Sequence, residues 1–332
     1  MSGDLRRDPL TGAWTIIAPG RRARPHDTDD VDTGPVCPFC EGNEGLTPPE
    51  VDAFRARGGQ PDTPGWSVRV VPNKFPLLEG AHEVVVHSPR HESALAELPA
   101  AAVTEVVAMY QRRIAAHCAG GAAAVTVIVN QGGAAGASLD HPHSQVLATP
   151  IVPPVLAAEL DEFERYRDEF DRCLLCDLVQ SAAEREELLV FDGPIVAWAP
   201  EASRFPYELR LAPRLHEPSF VSTGASAAGG ALRRALAALA AVTGEVGLNL
   251  WLHTAPCAGD RPFHWHVEVA PRLSTLAGFE LGTGIGIDLV EPREAAGRLR
   301  QSDAELGGGE AGGHEARTAG GAAEAGLGRP EG

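Results

Sequence analysis

The sequence predicts an α+β protein made of two copies of one unit, each an antiparallel sheet with a packed helix, joined into one extended sheet. Three observations carry that expectation. A Cys-x-x-Cys pair occurs twice, as Cys37-Pro-Phe-Cys40 and Cys173-Leu-Leu-Cys176. Each pair is followed by a strand-like run that ends in Pro-Arg and a histidine, His91 or His216, and later by a His-x-His, His141-Pro-His143 or His264-Trp-His266. Between these landmarks the hydrophobic period changes in the same order in both copies, from two short strands to a helix and back to a strand.

The elements follow one another in step. In the first copy, runs at 66–72 and 83–87 flank Phe75-Pro76; in the second, runs at 195–200 and 207–211 flank Phe205-Pro206. A helical stretch comes next. Residues 100–118 place Val103, Val106, Val107, Tyr110 and Ile114 on one face, and residues 226–243 do the same with Leu232, Leu236, Leu239 and Val242. Strands at 125–129 and 248–252 then lead through a loop to the His-x-His and a last strand ending at Pro150 or Pro271. Two halves with facing edges can cover one another, which is why one larger sheet is expected. The resulting division is 1–152 for the first half, 153–172 for an acidic helical linker and 173–300 for the second half. From 301 to 332 the chain is mostly Gly, Ala and Glu, with too little apolar surface to offset ordering entropy, and a disordered tail is expected.

Composition narrows the class of function. With 332 residues and 44% hydrophobic content, the chain can build a sizeable core. A formal charge of -17 argues against a nucleic-acid polymer as partner, since tracking a phosphate backbone needs clustered cations. No apolar run approaches the roughly 18 residues that span a bilayer, and the first residues are charged rather than signal-like. A cytoplasmic protein with no membrane partner is expected. In that reducing setting Cys-x-x-Cys points to metal binding before a structural disulfide.

Each copy supplies two thiolates and two imidazoles, the donor set of a closed tetrahedral zinc site. Two structural zinc ions are therefore expected, one on Cys37, Cys40, His91 and His141, the other on Cys173, Cys176, His216 and His264. Spacing alone leaves His87 as a rival to His91, and His253 as a rival to His264. A thioredoxin-like redox pair would leave the matched histidines unexplained. Cys118 and Cys257 match nothing in the other copy, and a small buried side chain is the default for both.

The first copy alone carries a glycine-rich loop, Asn130-Gln-Gly-Gly-Ala-Ala-Gly136-Ala-Ser138, running into His141-Pro-His143-Ser-Gln145. Such a loop lets backbone N–H groups form a concavity for an anion, and Ser138 and Gln145 add neutral donors. Pro142 biases His141 to an extended conformation, so His141 and His143 project to the same side. If zinc fixes His141, the neutral ring of His143 stands ready to attack phosphorus. The second copy has Pro and Asp where the first has Gly and Ser, and His266 is expected to be a structural relic.

At these residues the chain resembles the galactose-1-phosphate uridylyltransferase family of the histidine-triad superfamily, from about residue 6 to 298. The Gly-x-Ser-x-x-His-Pro-His-x-Gln segment carries most of the resemblance. It implies a duplicated histidine-triad-like fold and ping-pong transfer of a nucleoside monophosphate from a nucleotide sugar to a hexose 1-phosphate. The implied nucleophile is His143, with Gln145 on the oxygens of the intermediate and Asn130, Gly136 and Ser138 in the phosphate-contacting set. Asn73 and Phe75 match an Asn-x-Phe stretch that contacts the nucleotide, and Arg21, Arg22 and Arg24 resemble arginines near the substrate phosphates. Phe279-Glu280 fits an aromatic-Glu pair that contacts the hexose, but no glutamine follows it. The stretch Gly-Phe-Glu-Leu-Gly-Thr-Gly is more similar to the branch that contains plant ADP-glucose phosphorylase. The resemblance also implies a homodimer. The leading expectation is a UDP-glucose:hexose-1-phosphate uridylyltransferase; ADP-glucose phosphorylase, a histidine-triad hydrolase and a zinc-stabilised binding protein are its competitors.

Overall fold

The computed structural model describes residues 3–23, 36–91 and 94–311. An N-terminal hairpin, β1 (Asp4–Arg7) and β2 (Trp14–Ile17), forms a two-stranded sheet of its own. The first half continues with β3 (Asp52–Phe54), β4 (Val68–Pro72), β5 (His82–Val86), α1 (Ala100–Ala119), β6 (Ala124–Gln131) and β7 (His143–Thr149). Two helices, α2 (Pro154–Phe170) and α3 (Leu174–Arg185), lead into β8 (Leu189–Phe191), β9 (Ile195–Trp198) and β10 (Leu209–Pro213). The chain ends with α4 (Ala225–Thr243), β11 (Leu248–His253), β12 (His266–Pro271), α5 (Gly278–Thr283) and α6 (Pro292–Ala311).

Ten strands make one antiparallel sheet in the order β3-β4-β5-β7-β6-β11-β12-β10-β9-β8. Read inward from each edge, the two halves repeat one order, so the duplication is topological as well as sequential. The join is the β6–β11 pair, in register from Leu248 opposite Gln131 to Leu252 opposite Val127. Alternation explains both strands: Val125, Val127 and Val129 on β6, and Leu248, Leu250 and Leu252 on β11, are buried toward the helices. On that face α1 and α4 share one core with both halves of the sheet. They approach closely at Gly229, where an added Cβ would lie 3.2 Å from the Thr104 Cα. The opposite face carries α2 and α3 over the second half, packed through Leu160, Phe163 and Val179 against Val196 and Trp198. Over the first half, a smaller cluster of Phe39, Trp66, Val71, Val84 and Val86 holds the Cys37 loop on the strands.

Two expectations need correction. Structure does not stop at residue 301: α6 continues to Ala311, Ser302 and Asp303 are buried, and Arg234 Nη2 donates to Asp303 Oδ2 at 2.6 Å. Small side chains let this helix lie close on α4, and a rule that counts large apolar residues misses such a contact. Residues 312–332 of the expected tail lie outside the described residues. Cys118 and Cys257 are not independent thiols but a disulfide that spans 139 positions, from the end of α1 to the β11–β12 loop. A link between halves has no equivalent within either copy, so comparing the copies could not reveal it. No helix among the described residues is long and apolar enough to cross a membrane.

The disulfide closes a long loop, which constrains the unfolded chain. Cys257→Ala is expected to lower unfolding free energy by about 3 kcal/mol in denaturant titrations, with a non-chelating phosphine reductant causing the same loss in the parent and none in the variant.

Candidate active site

Two clusters of like geometry sit on opposite halves. Cys37, Cys40, His91 and His141 place their donor atoms within 4.8 Å of one another, as do Cys173, Cys176, His216 and His264. In the first, Cys37 Sγ and Cys40 Sγ each lie 3.7 Å from His141 Nδ1, and Cys40 Sγ lies 3.6 Å from His91 Nδ1. In the second, the corresponding separations are 3.7 Å for Cys173 to His264, 3.6 Å for Cys176 to His216 and 3.4 Å for Cys176 to His264. A tetrahedral ion with bonds of about 2.3 Å to sulfur and about 2.0 Å to nitrogen sets these pairs about 3.5 Å apart, so the donors fit one. His141 Nε2 donates to the Ser88 carbonyl at 2.8 Å, which leaves Nδ1 as the lone pair turned to the thiols. Burial and the adjacent Cys173 push the Cys176 thiol up to about 12, while burial and the facing His216 push His264 down to about 4. A divalent cation reverses the first shift by stabilising thiolates.

The rival histidines have other partners. His87 is buried, with Nε2 at 3.0 Å from both the Ser144 and Tyr110 hydroxyls, and burial holds it well below its usual value. His253 Nδ1 lies 2.9 Å from Glu159 on α2.

His143 opens β7 and is half-buried beside Phe39, with the ring centroids 5.3 Å apart. Its Nδ1 is 2.8 Å from the His141 carbonyl. A carbonyl only accepts, so Nδ1 carries the proton and Nε2 holds the reactive lone pair. Gln145, two residues along the same face, has its Oε1 2.7 Å from His82 Nε2. His82 Nδ1 accepts from the Leu77 N–H at 3.0 Å, which puts the ring proton on Nε2, facing Gln145 Oε1, with Asn73 Nδ2 also approaching at 3.1 Å; with its oxygen on His82, Gln145 keeps its NH2 for the site. The loop before these residues turns through Gly136 in the left-handed region, φ +83°, where a side chain would be strained.

Two cavities meet at His143. One, of about 410 Å³, is walled by Phe39, Leu46, Val71 and Phe75 and includes Asn73, Ser138 and Gln145. No carboxylate is among its described lining residues, and its one formal charge is Lys74, the only lysine in the chain. The other, of about 530 Å³, includes Asn130, His91 and His143 together with Glu97, Asp140 and Glu245. Asn73 Oδ1 accepts from the Phe75 N–H at 2.9 Å, and Arg21 Nη1 donates to the Phe75 carbonyl at 2.6 Å, so Asn73, Phe75 and Arg21 form one wall. Arg24 lies outside the described residues. Phe279 and Glu280 line neither of these cavities; Phe279 is 52% exposed and the Glu280 carboxylate caps α5 at the Ala277 N–H.

The second half is closed where the first is open. Register makes Glu268 the counterpart of Gln145, because Trp251 faces Glu268 across β11–β12 as Ile128 faces Gln145 across β6–β7. His253 then stands where Asn130 stands. Glu159, His253, His266 and Glu268 gather within 4.8 Å, a set of donors that could itself hold a cation. Sequence reasoning missed this group. Glu268 could have been noticed two residues after the His-x-His, whereas Glu159 arrives from the linker helix with no local signal. Burial opposes charge on His266, yet Glu159 and Glu268 outweigh it and lift it to about 9. Burial likewise works against the Glu159 carboxylate, and His253 and His266 overcome it, down to about 2.

Comparison with known proteins adds the following. Residues 74–153 match the family described as galactose-1-phosphate uridyl transferase, N-terminal domain. The ADP-glucose phosphorylase of Arabidopsis thaliana is 32% identical over 340 residues, covering 90% of this chain and 93% of that protein. The galactose-1-phosphate uridylyltransferase of Thermotoga maritima is 28% identical, over 91% of this chain and 99% of that one. Among solved structures, ADP-glucose phosphorylase from Arabidopsis thaliana with bound ADP-glucose superposes with a TM-score of 0.73 at 31% identity, over 90% of this chain and 99% of that chain.

Removing one member of the closed cluster leaves a charge buried without its partner. Glu159→Ala is expected to destabilise by about 3 kcal/mol in denaturant unfolding. A raised His266 stabilises fully below its unfolded value of 6.5 and loses that contribution as pH rises through about 9. A lowered Glu159 contributes above 4.5 and loses it as pH falls through about 2. The effect of Glu159→Ala should therefore be largest between those unfolded values, pH 4.5 to 6.5, and fade on either side.

Proposed function

The chain belongs to the galactose-1-phosphate uridylyltransferase family, and on that premise we propose that it transfers a nucleoside monophosphate from a nucleotide sugar to a sugar 1-phosphate through His143. The donor and acceptor of this reading are UDP-glucose and galactose 1-phosphate. One observation carries it: His143 presents Nε2, with Nδ1–H held by the His141 carbonyl, where two cavities meet.

In the first step Nε2 attacks the α-phosphorus, the bond to the bridging oxygen breaks and the sugar 1-phosphate leaves with that electron pair. In the second, a phosphate oxygen of the acceptor attacks the same phosphorus and the P–N bond breaks, which returns His143 to its neutral form. The Gln145 NH2, Ser138, Asn130 and the backbone at Gly136 hold the nonbridging oxygens as charge builds. Asn73, Phe75 and Arg21 form the nucleotide wall, and Lys74 pairs with the phosphates in a cavity whose described lining residues include no carboxylate. Zinc is the metal that suits both Cys2His2 sets, giving two ions per chain. With four protein ligands each, such ions would be structural: Cys37, Cys40, His91 and His141 would hold one, anchoring the backbone just before β7, and Cys173, Cys176, His216 and His264 the other. A homodimer is the working form of this reading. It is supported by the exposed apolar run that includes Phe279, 73% exposed Leu281 and 71% exposed Leu289, which would bring Phe279 and Glu280 to the partner's site.

A second reading is ADP-glucose phosphorylase, with inorganic phosphate as acceptor. The 32% identity to the Arabidopsis thaliana protein across nearly the whole chain favours it. Both readings share the His143 chemistry and differ in base and acceptor.

Incubation with radiolabelled UDP-glucose should leave an acid-labile nucleotide on the protein, and its persistence in His143→Ala would sink the assignment. Turnover of UDP-glucose and ADP-glucose, each with galactose 1-phosphate or phosphate, separates the two readings; rapid release of UMP without acceptor would indicate a hydrolase. Lys74→Met is expected to raise KM for the nucleotide sugar roughly tenfold with little change in kcat, and Lys74→Arg to restore most of it. Elemental analysis should return about two zinc per chain, and Cys37→Ser should lower yield and thermal stability more than the specific activity of the folded fraction.

A further inference from the structure

The half without a reactive loop reaches into the one that has it. Across the join, Asn249 on β11 is paired with Asn130 on β6. Asn249 Nδ2 donates to Asn130 Oδ1 at 2.8 Å and to the Ala135 carbonyl at 2.9 Å. The second contact decides the orientation of both amides. The Ala135 carbonyl can only accept, so the end of Asn249 that faces it is NH2; the Asn130 atom beside that NH2 must then be its oxygen. Asn130 therefore turns its own NH2 away from Asn249, on the face of the sheet that carries His143, and it lines the larger cavity with His143.

The residue just before β11 also backs the glycine loop. An added Cβ on Gly247 would meet the Ala135 nitrogen at 3.1 Å and the Gln131 carbonyl at 3.2 Å, and one on Gly132 would meet the Gly247 Cα at 3.1 Å. Main chain from the two halves thus touches where the loop leaves β6, with no room for a side chain between.

We propose that Asn249 is a positioning residue for phosphoryl transfer: it holds Asn130 with its NH2 toward the reacting phosphate and ties the loop that carries Gly136 and Ser138 through the Ala135 carbonyl. The proposal rests on the nucleotidyl transfer at His143 described above. It gives the second half a part in the chemistry that its own histidines do not have. His82 does the corresponding work for Gln145, so the two amides that face the phosphate are each set by a second residue on the carbonyl side.

Asn249→Asp keeps the shape but replaces the donor by an acceptor, which makes Asn130 turn its NH2 back and present oxygen to the phosphate. In single-turnover formation of the labelled nucleotidyl adduct, the variant is expected to be roughly a hundredfold slower, with donor affinity measured in a His143→Ala background changing much less. If Asn249 acts through Asn130, the aspartate adds little further loss once Asn130→Ala is present; fully additive losses would overturn the proposal, as would an Asn249→Asp rate within twofold of the parent. Asn249→Ser, which keeps a donor on a shorter side chain, serves if the aspartate does not fold, and is expected to fall between the two rates; a rate equal to the parent's would count against the proposal. Should the parent form no adduct with UDP-glucose or ADP-glucose, the transfer reading fails by itself. Hydrogen exchange at residues 132–138 then decides the positioning claim: faster exchange in Asn249→Asp supports it, and unchanged protection overturns it.

Discussion

The antiparallel pairing of β6 with β11 is the contact on which the rest of this molecule depends. Each half alone would end in an open strand edge with unpaired N–H and C=O groups and one apolar face. Joined, they make a ten-stranded sheet in which neither central edge remains, and α1 and α4 can share one core instead of two small ones. Removing water from one large apolar surface stabilises more than removing it from two small ones with exposed seams. The same pairing also fixes a distance, because the last residues of β6 are the first of the glycine loop. Whatever holds the join holds the glycine turn before His143, and the Gly132–Gly247 approach shows how tightly the two are coupled.

Duplicated elements are then used for unequal ends. His143 and His266 occupy matching positions, and each has its Nδ1 toward the carbonyl two residues back, at 2.8 Å and 3.2 Å. What differs is the environment of Nε2. Over the first half the sheet face is open to two cavities, with neutral Gln145 beside the ring. Over the second, α2 lays Glu159 against His266, and Glu268 takes the place of the amide. Two carboxylates favour the protonated ring and would repel a phosphate, so His266 is shut off as a nucleophile by charge as well as by burial.

Metal clusters and disulfide act at a different level. The two Cys2His2 groups join the Cys37 loop and the start of α3 to the segments just before β7 and β12, where His141 and His264 stand. The Cys118–Cys257 bridge ties the end of a first-half helix to a second-half loop. All three link segments far apart in the chain, and the first cluster ends two residues before His143.

Much of this was legible in the order of residues. Cys-x-x-Cys pairs, downstream histidines and the glycine loop before His143 are local patterns, and residue type with short spacing suffices to name a donor set, a duplicated α+β fold and a candidate nucleophile. The tertiary structure decided which histidines close the clusters, because His87 and His253 differ from His91 and His264 in what lies across the sheet and hardly at all in spacing. It likewise decided that α6 runs on past residue 301, that Cys118 meets Cys257, that Glu159 seals the second half and that Asn249 orients Asn130. Each of these contacts joins residues tens of positions or more apart. Strand register and helix placement bring such residues together, and no local property of the chain encodes where they meet.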